Sequence, residues 1–285
     1  MNNNRQQKKP IVWTIGGSDS SGNAGIQADL LTFQDLGVHG CSVITALNAQ
    51  NSFALGYTVA TERKNVVAQI NALDSDLPAA AIKVGMLANR EIVETVIKYF
   101  DDYRGFVVYE PVLDNCQGGS LLDDTADLIN SLLLPRIDCL TPNMTTAGQL
   151  SGVNIDSPQS LIEASEKLLA MGTRSVLITG ARFDSANGKR LDFWSNGNDC
   201  LWLSGDDIQT VNDRAGGCML SAAITAGVGH EFDWEKTLTL AKSYVTQGIR
   251  GAVQIGSGPG AAAHLGWPED SPDVPIVSEQ YPGTP

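Results

Sequence analysis

Short apolar runs alternate with amphipathic stretches along most of the chain. Apolar runs of strand length cover 11–16, 41–47, 80–85, 106–112, 139–143 and 175–180. Apolar positions three or four residues apart, such as Ile26, Leu30 and Phe33, predict helices between these runs. The predicted helices cover 25–36, 65–73, 89–99, 157–171, 219–227 and 234–249. Strands that are apolar throughout are typical of a sheet covered on both faces.

This order of elements predicts an α/β fold around one central sheet. Strands that alternate with helices form mostly parallel sheets with right-handed crossovers, and such sheets bind ligands at the carboxyl ends of their strands. The loops that follow the strands are therefore the candidate functional regions. We predict a polar arm over 1–9, one domain over 10–267 and a tail over 268–285, whose five prolines we expect to prevent regular structure.

Composition narrows the possible functions. Hydrophobic residues make up 42% of the 285 residues, which excludes a mainly disordered chain, and the net charge of −13 argues against nucleic-acid binding. Five cysteines without a CxxC pair and three scattered histidines indicate neither a disulfide framework nor a zinc site. Without a signal-peptide pattern or an apolar run long enough to span a membrane, the sequence favours a cytoplasmic protein.

Two glycine-rich loops carry the candidate chemistry. The first covers 16–25, and by itself it is also compatible with an ordinary long turn. In the second, Ala215, Gly216 and Gly217 precede a helix, where exposed N–H groups and the helix dipole favour an anion hole. We expect Cys218 at that helix start to have a lowered pKa, although a buried structural cysteine is the alternative.

Residues 14–52 (TIGGSDSSGNAGIQADLLTFQDLGVHGCSVITALNAQNS) closely resemble the N-terminal segment of the hydroxymethylpyrimidine/phosphomethylpyrimidine kinases. This family of the ribokinase-like superfamily acts in thiamine biosynthesis. The resemblance continues through KVGML (83–87), EPVL (110–113), LTPN (140–143), VLITG (176–180), AGGCMLSAAI (215–224) and GSGP (256–259). It implies a ribokinase-like three-layer α/β/α fold with a central, mostly parallel sheet.

The resemblance also implies an activity, its cofactors and a partner. The family uses ATP and Mg²⁺ to phosphorylate 4-amino-5-hydroxymethyl-2-methylpyrimidine and then the resulting monophosphate. A homodimer is the expected assembly. Two alternatives stay open: a pyridoxal or pyridoxine kinase, whose substrate also carries a hydroxymethyl group, and a pyrimidine-binding module with weak or lost kinase activity.

The resemblance assigns the pyrimidine site to Gly17, Asp29, Gln50, Met86 and Val112. The amide of Gln50 offers both a donor and an acceptor to an aminopyrimidine, and the Asp29 carboxylate suits an amine or hydroxyl. Met86 and Val112 would pack against the ring. The alternative places Asp29 on a helix surface, Gln50 in a capped turn, and Met86 and Val112 in the core.

On the phosphate side the chain departs from the family pattern. The family's Gly-Thr-Gly-Cys motif corresponds to 215–218, in which Cys218 matches the residue assigned as catalytic base. Its Asp-Pro-Val corresponds to 110–112, so that Glu110 keeps a carboxylate that, with Asn143, would organise magnesium.

Two charged residues of the family pattern are lost. A glutamate becomes Thr146 and a lysine becomes Thr179, which makes this chain a divergent member. Arg182 or Arg214 would replace the lost cation, or both are ordinary surface arginines. The small, polar, glycine-rich stretch 115–120 is the predicted lid.

Overall fold

A computed structural model of the chain describes residues 9–113, 122–183, 186, 188–268 and 273–282. These residues form one mixed sheet of ten strands. In chain order the strands are β1 (Ile11–Asp19), β2 (His39–Gln50), β3 (Leu55–Ala60), β4 (Ala81–Val84), β5 (Phe106–Tyr109), β6 (Cys139–Leu140), β7 (Val176–Ala181), β8 (Lys189–Ser195), β9 (Cys200–Asp206) and β10 (Ile276–Ser278).

The sheet is parallel at its centre and antiparallel at both ends. Its strand order is β10-β9-β8-β7-β6-β5-β4-β1-β2-β3. The six central strands, β7, β6, β5, β4, β1 and β2, are parallel to one another. At one end β3 pairs antiparallel with β2, and at the other end β8, β9 and β10 follow β7 in antiparallel pairs. The predicted mostly parallel central sheet is therefore confirmed.

Eight α-helices lie in the described part of the chain. They are α1 (Gly25–Asp35), α2 (Arg63–Asp74), α3 (Arg90–Phe100), α4 (Leu122–Leu128), α5 (Met144–Ser151), α6 (Pro158–Ala170), α7 (Gly216–Gly229) and α8 (Trp234–Arg250). A π-helical turn (Ile129–Leu133) and a 3₁₀ turn (Leu134–Arg136) follow α4. None of these helices is both long and apolar enough to cross a membrane.

Two hydrophobic cores lie on opposite faces of the sheet. Alternate residues of β1 show the division: Trp13 belongs to the core formed with α2, α3 and α6, and Val12 to the core formed with α1, α7 and α8. Successive side chains of a strand point to opposite faces, so the apolar strand runs fill both cores. The three-layer α/β/α arrangement is confirmed.

The hydrophobic pattern of the sequence did not predict the strands at the two ends of the sheet or two of the helices. Strands β3, β8, β9 and β10 and helices α4 and α5 were not predicted. The expectation that prolines prevent regular structure after 267 is wrong for Ile276–Ser278. This segment lies between two prolines but contains none, so it can pair with β9 as strand β10. The division into arm, domain and tail stays a prediction; most of the arm (1–8) and the predicted lid (115–120) lie outside the described residues.

Candidate active site

The carboxyl ends of the central strands bring the candidate residues to one edge of the sheet. Gly17 lies near the end of β1, Met86 two residues after the end of β4 and Glu110 directly after β5. Asn143 follows β6 and joins Thr179 of β7 through an isolated bridge. Parallel strands place all these loops on the same side, which is why widely spaced sequence motifs converge there.

A charged triad of Asp29, Lys83 and Glu110 lies beneath this edge. Lys83 Nζ donates to both carboxylate oxygens of Asp29, each at 3.0 Å, and pairs with Glu110 Oε2 at 2.9 Å. Thr14 Oγ1 donates to Asp29 Oδ2 at 2.6 Å. The side chains of Asp29 and Lys83 are 0% and 2% exposed. An ionised group this deeply buried requires partners, and the triad supplies them.

Burial and charge act in opposite directions on this triad. Burial raises the pKa of Asp29 to about 6, although Lys83 and Thr14 favour the ionised form. Burial alone would lower the pKa of Lys83, but the Asp29, Cys218 and Glu110 groups raise it well above its usual range. Lys83 is therefore the fixed cation on which the two carboxylates converge.

Asp29 lies under the site rather than on its surface. It has no exposed surface, and both of its oxygens are engaged by Lys83 and Thr14. The structure thus shows Asp29 holding Lys83, and the role in pyrimidine binding that the resemblance implies for it stays a prediction. Lys83 was not among the site residues predicted from the sequence, although a lysine inside an otherwise apolar strand signals a buried partner.

The predicted anion hole forms the first turn of α7. Gly216 begins the helix, Ala215 is its N-cap residue, and Ala215 has φ 67° and ψ −2°, a left-handed conformation. A Cβ added to Gly217 would collide with Glu110 Oε1, so glycine is what lets the carboxylate approach the helix start. Glu110 Oε2 also accepts a hydrogen bond from Ser221 Oγ at 3.2 Å.

Cys218 lies in the same first turn, and the expectation of a lowered pKa is wrong. Burial of the thiol, and then the negative charge of Glu110, raise the pKa of Cys218, and this outweighs the lowering effects of Lys83 and a backbone N–H of Gly25. The residue as a whole keeps some exposed surface. Its thiol is therefore protonated at neutral pH unless a ligand changes these surroundings.

Three residues assigned to the pyrimidine site, Gly17, Gln50 and Met86, lie near two unpredicted side chains, Asn48 and Asp19. A Cβ on Gly17 would lie 2.9 Å from Asn48 Nδ2 and 3.3 Å from Met86 Sδ. Gln50 Nε2 donates to Asp19 Oδ2 at 3.2 Å, and Asp19 is 2% exposed. Met86 is buried.

Val112 is half-buried in the described stretch after β5. The structure brings Gly17, Gln50 and Met86 together at the ends of β1, β2 and β4. Val112 follows Glu110 and thus belongs to the neighbouring strand end. The binding roles of these residues stay predictions.

A cavity of about 340 Å³ lies beside the anion hole. Gly216 and Gly217 of α7 line one side, and the ends of β6 and β7, with Asn143 and Thr179, line another. Its remaining lining residues are Met144, Thr145, Gly180, Arg190, Asp192, Asp206, Ile208, Asp213, Leu220, Lys242, Val245, Thr246 and Ile249. Asn143 is exposed, and its Oδ1 accepts a hydrogen bond from the N–H of Thr146 as the N-cap of α5.

Neither arginine considered from the sequence lines this cavity. Arg182 Nη2 donates to Asp207 Oδ1 at 2.8 Å. Arg214 Nη1 donates to the backbone carbonyl of Ser52 at 2.6 Å and to that of Asn51 at 3.2 Å, which ties the loop after β2 to the loop before α7. Arg190, which was not considered, is the arginine in the cavity wall.

Comparison with known proteins agrees with this arrangement. The family model described as phosphomethylpyrimidine kinase matches residues 19–263. The chain belongs to the phosphomethylpyrimidine kinase family. The hydroxymethylpyrimidine/phosphomethylpyrimidine kinase of Streptomyces coelicolor is 35% identical over 259 residues, which cover 90% of this chain and 95% of that protein. The family resemblance found in the sequence is thereby confirmed.

Solved structures support the fold. A pyridoxal kinase from Staphylococcus aureus in complex with AMP-PCP and pyridoxal has a TM-score of 0.85 at 26% identity, with 95% of this chain and 98% of that chain covered. The phosphomethylpyrimidine kinase from Clostridium difficile has a TM-score of 0.73 at 31% identity, with 85% and 100% covered. The ribokinase-like fold class predicted from the sequence is confirmed.

Proposed function

We propose that this protein transfers the γ-phosphate of ATP to 4-amino-5-hydroxymethyl-2-methylpyrimidine and then to its monophosphate, within thiamine biosynthesis. The supporting observation is the position of the α7 anion hole. Gly216 and Gly217 of this turn line the cavity, and Gly217 and Cys218 also lie beside Glu110 at the end of β5. A phosphoryl group passing between two bound substrates needs such a shared anion site.

Each half of the site has a defined task in this reaction. The amide of Gln50 hydrogen-bonds the aminopyrimidine, and Gly17, Met86 and Val112 shape the space for the ring. The backbone N–H groups of the 215–217 turn and the positive end of α7 stabilise charge on the transferred group. In-line attack by the substrate hydroxyl forms the new O–P bond while the bond to ADP breaks.

Cys218 takes the proton of the attacking hydroxyl in this proposal. Only the thiolate accepts a proton, and the raised pKa of Cys218 keeps that form scarce at neutral pH. Phosphoryl transfer depends mainly on positioning and charge stabilisation, so a scarce base still permits turnover. Lys83 fixes the Glu110 carboxylate beside this thiol.

The residues present fit a magnesium ion carried mainly by the nucleotide. Mg²⁺ usually takes one or two protein carboxylates, together with water and phosphate oxygens. Glu110 offers a carboxylate at the start of α7, and Asn143 Oδ1 has a second lone pair besides the one used in its cap. Bound there, the ion would neutralise phosphate charge and polarise the γ-phosphate.

A pyridoxal kinase is the second candidate function. The Staphylococcus aureus pyridoxal kinase matches this fold with a TM-score of 0.85, compared with 0.73 for the Clostridium difficile phosphomethylpyrimidine kinase. The family model and the 14–52 motif favour the pyrimidine. The two activities differ in the ring that is phosphorylated and share the phosphate chemistry.

Product analysis separates these functions. The purified protein is incubated with Mg-ATP and, in turn, with hydroxymethylpyrimidine, its monophosphate, pyridoxal and pyridoxine, and products are identified by mass spectrometry. We expect mono- and diphosphorylated pyrimidine. Phosphorylated pyridoxal alone would support the second candidate. Pyrimidine binding by calorimetry without any product would indicate a binding module that has lost kinase activity.

We also propose that two copies associate through the outer face of the β2–β3 pair. Leu47 and Val59 pair across these strands, as do Ala49 and Tyr57, and all four lie on one face. Leu47, Tyr57 and Val59 are 56%, 60% and 43% exposed. Contiguous apolar surface of this kind is typical of an interaction site. A monomeric mass by light scattering would contradict the homodimer.

The cytoplasmic location expected from the sequence remains a prediction.

A further inference from the structure

Two basic residues belong to the wall of the cavity beside the anion hole: Arg190 on β8 and Lys242 on α8. Lys242 Nζ pairs with Asp192 Oδ2 at 2.7 Å, and both side chains are more than nine-tenths buried. Asp192 Oδ1 in turn accepts the N–H of Gly180 at 2.8 Å. The charge of Lys242 is therefore balanced by Asp192, and this pair holds the wall together.

Arg190 is bound on one side only. Its Nε donates to Asp207 Oδ1 at 3.1 Å, whereas its Nη1 and Nη2 donate no hydrogen bond to any residue that the structure describes. The same Asp207 oxygen also accepts from Arg182. The single carboxylate of Asp207 thus pairs with two guanidinium groups, those of Arg182 and Arg190. These three side chains together therefore carry one excess positive charge.

The position of Arg190 directs the free side of its guanidinium to the cavity. Its Nη1 lies 3.3 Å from the place where a Cβ on Gly180 would stand, at the carboxyl end of β7. Gly180 has φ 80°, a conformation that favours glycine, and the absence of a side chain leaves room for the guanidinium. Gly216 and Gly217 at the start of α7 line the same cavity, and N–H groups at a helix start also attract anions.

Nearby carboxylates do not cancel this charge. Asp206, which lines the cavity, pairs with Lys189 at 2.7 Å and with Arg250 at 3.2 Å. Asp192 is occupied by Lys242. Asp213, the third carboxylate in the lining, is exposed to solvent beside the turn that precedes α7, so its effect on Arg190 is screened.

We propose that Arg190 binds a phosphate group of the nucleotide in this cavity through its free Nη1 and Nη2 groups. The planar guanidinium presents two parallel N–H donors that match two phosphate oxygens. The inference rests on the proposed function, because it takes the cavity to be the nucleotide site. It assigns to β8 a contact that neither the motifs nor the sequence pattern indicated.

The test compares Arg190→Gln with Arg182→Gln. Both changes remove one guanidinium from Asp207, but only Arg190 lines the cavity, so Arg182→Gln is the matched control. Calorimetry measures the binding of AMP-PCP and of adenosine, each with and without Mg²⁺. We expect Arg190→Gln to weaken AMP-PCP binding about tenfold or more, with adenosine affinity within about twofold of the original protein. We expect Arg182→Gln to leave both affinities unchanged.

A third variant and the kinetics complete the test. Arg190→Lys keeps the charge but loses the paired donors, and we expect it to recover part of the AMP-PCP affinity. In turnover assays the KM for ATP should rise in Arg190→Gln while the KM for the pyrimidine stays within about twofold. Thermal unfolding of each variant confirms that it is folded.

Three results would overturn the inference while leaving the proposed function intact. They are AMP-PCP affinity of Arg190→Gln within twofold of the original protein, an equal loss in Arg182→Gln, and an equal loss of adenosine affinity. If the original protein bound neither AMP-PCP nor ATP, the proposed function itself would fail, and this inference with it.

Discussion

The two halves of the site use the same kind of ion pair in different surroundings. In the triad beneath the strand ends the Asp29 and Lys83 side chains are almost completely buried, at 0% and 2% exposed. Around Asp207, beside the cavity, the Arg190 and Arg182 side chains are 29% and 52% exposed, although the Lys242–Asp192 pair in the cavity wall is buried. Attraction between charges is stronger and less screened in the interior than at the surface. The ion pairs of the triad are therefore held more strongly than those that Asp207 makes with Arg182 and Arg190.

The position of Thr179, where the resemblance implies a lysine, illustrates this difference. Thr179 is half-buried and lines the cavity. A change there leaves no buried charge without a partner. A change at Lys83 would leave two carboxylates without their cation. The identity of Lys83 is thus constrained by folding.

Replacement of Lys83 is the strongest test of this contrast. In Lys83→Met the carboxylates of Asp29 and Glu110 lose their shared cation in the interior. Removal of one partner from a buried ion pair typically costs about 3–5 kcal/mol, so we expect a loss of stability of that size. Urea unfolding, followed by circular dichroism, measures it.

A surface ion pair provides the control. Lys167 pairs with Glu163 at 3.0 Å on α6, and their side chains are 49% and 53% exposed. We expect Lys167→Met to change the free energy of unfolding by less than about 0.5 kcal/mol, because exposed pairs contribute little. Equal effects of the two changes would show that burial does not separate the two kinds of pair.

Replacement of Cys218 tests the chemistry where the halves meet. We expect Cys218→Ala to reduce turnover about 100-fold or more, as for loss of a general base, while the pyrimidine still binds. The half-buried Cys200 on β9 is the control, and Cys200→Ala should retain full turnover. Near-normal turnover in Cys218→Ala would refute the role of Cys218 as base.

The pH dependence of turnover gives an independent check. Burial and Glu110 raise the pKa of Cys218. As long as the pH stays below that pKa, each increase of one pH unit raises the thiolate fraction about tenfold. Turnover of the original protein should therefore increase with pH across the neutral and mildly alkaline range. Cys218→Ala should lack this increase, and a flat profile in the original protein would contradict a thiolate base.

A smaller effect is expected at the pyrimidine contact. Gln50→Ala removes the amide proposed to hydrogen-bond the ring and also the 3.2 Å bond to Asp19. Loss of one hydrogen bond of about 1 kcal/mol corresponds to an affinity loss of roughly five- to tenfold. Calorimetry with hydroxymethylpyrimidine measures it, and unchanged affinity would remove Gln50 from the site. Gln149→Ala, exposed on α5, is the control.

The central strands were predictable because both of their faces are buried. Their apolar runs are continuous, and each run predicted from the sequence became one of the strands β1, β2 and β4 to β7. The strands at the sheet ends were not predictable in this way. In β8 charged and apolar residues are mixed, since Arg190 and Asp192 serve the cavity wall rather than the core.

The candidate site was predictable as a set of loops but not as a network of contacts. The motifs assigned Glu110 and the 215–218 turn to the phosphate side separately, and the folded chain places Glu110 against Gly217 of that turn. The ion pairs of the Asp29, Lys83 and Glu110 triad could not be predicted from the sequence, because Lys83 is 54 residues from Asp29 in the chain. The raised pKa of Cys218 comes first from burial of the thiol and then from the Glu110 carboxylate beside it, and only the folded chain creates these surroundings.

The smallest expected effect concerns the turn that joins the two halves. Ala215 has φ 67° at the N-cap of α7, a left-handed conformation that is costly for residues with a Cβ. Glycine adopts it without that cost, although glycine also gains more freedom in the unfolded chain. We therefore expect Ala215→Gly to stabilise the protein by about 0.5 kcal/mol in urea unfolding.

The sign of the effect is what makes this prediction specific. Ala72 is an exposed alanine within α2, and Ala72→Gly should destabilise the protein by up to about 1 kcal/mol, since glycine disfavours a regular helix. The same chemical change thus acts in opposite directions at the two positions. Destabilisation by Ala215→Gly would mean that the Ala215 methyl group contributes more packing at the start of α7 than its backbone conformation costs.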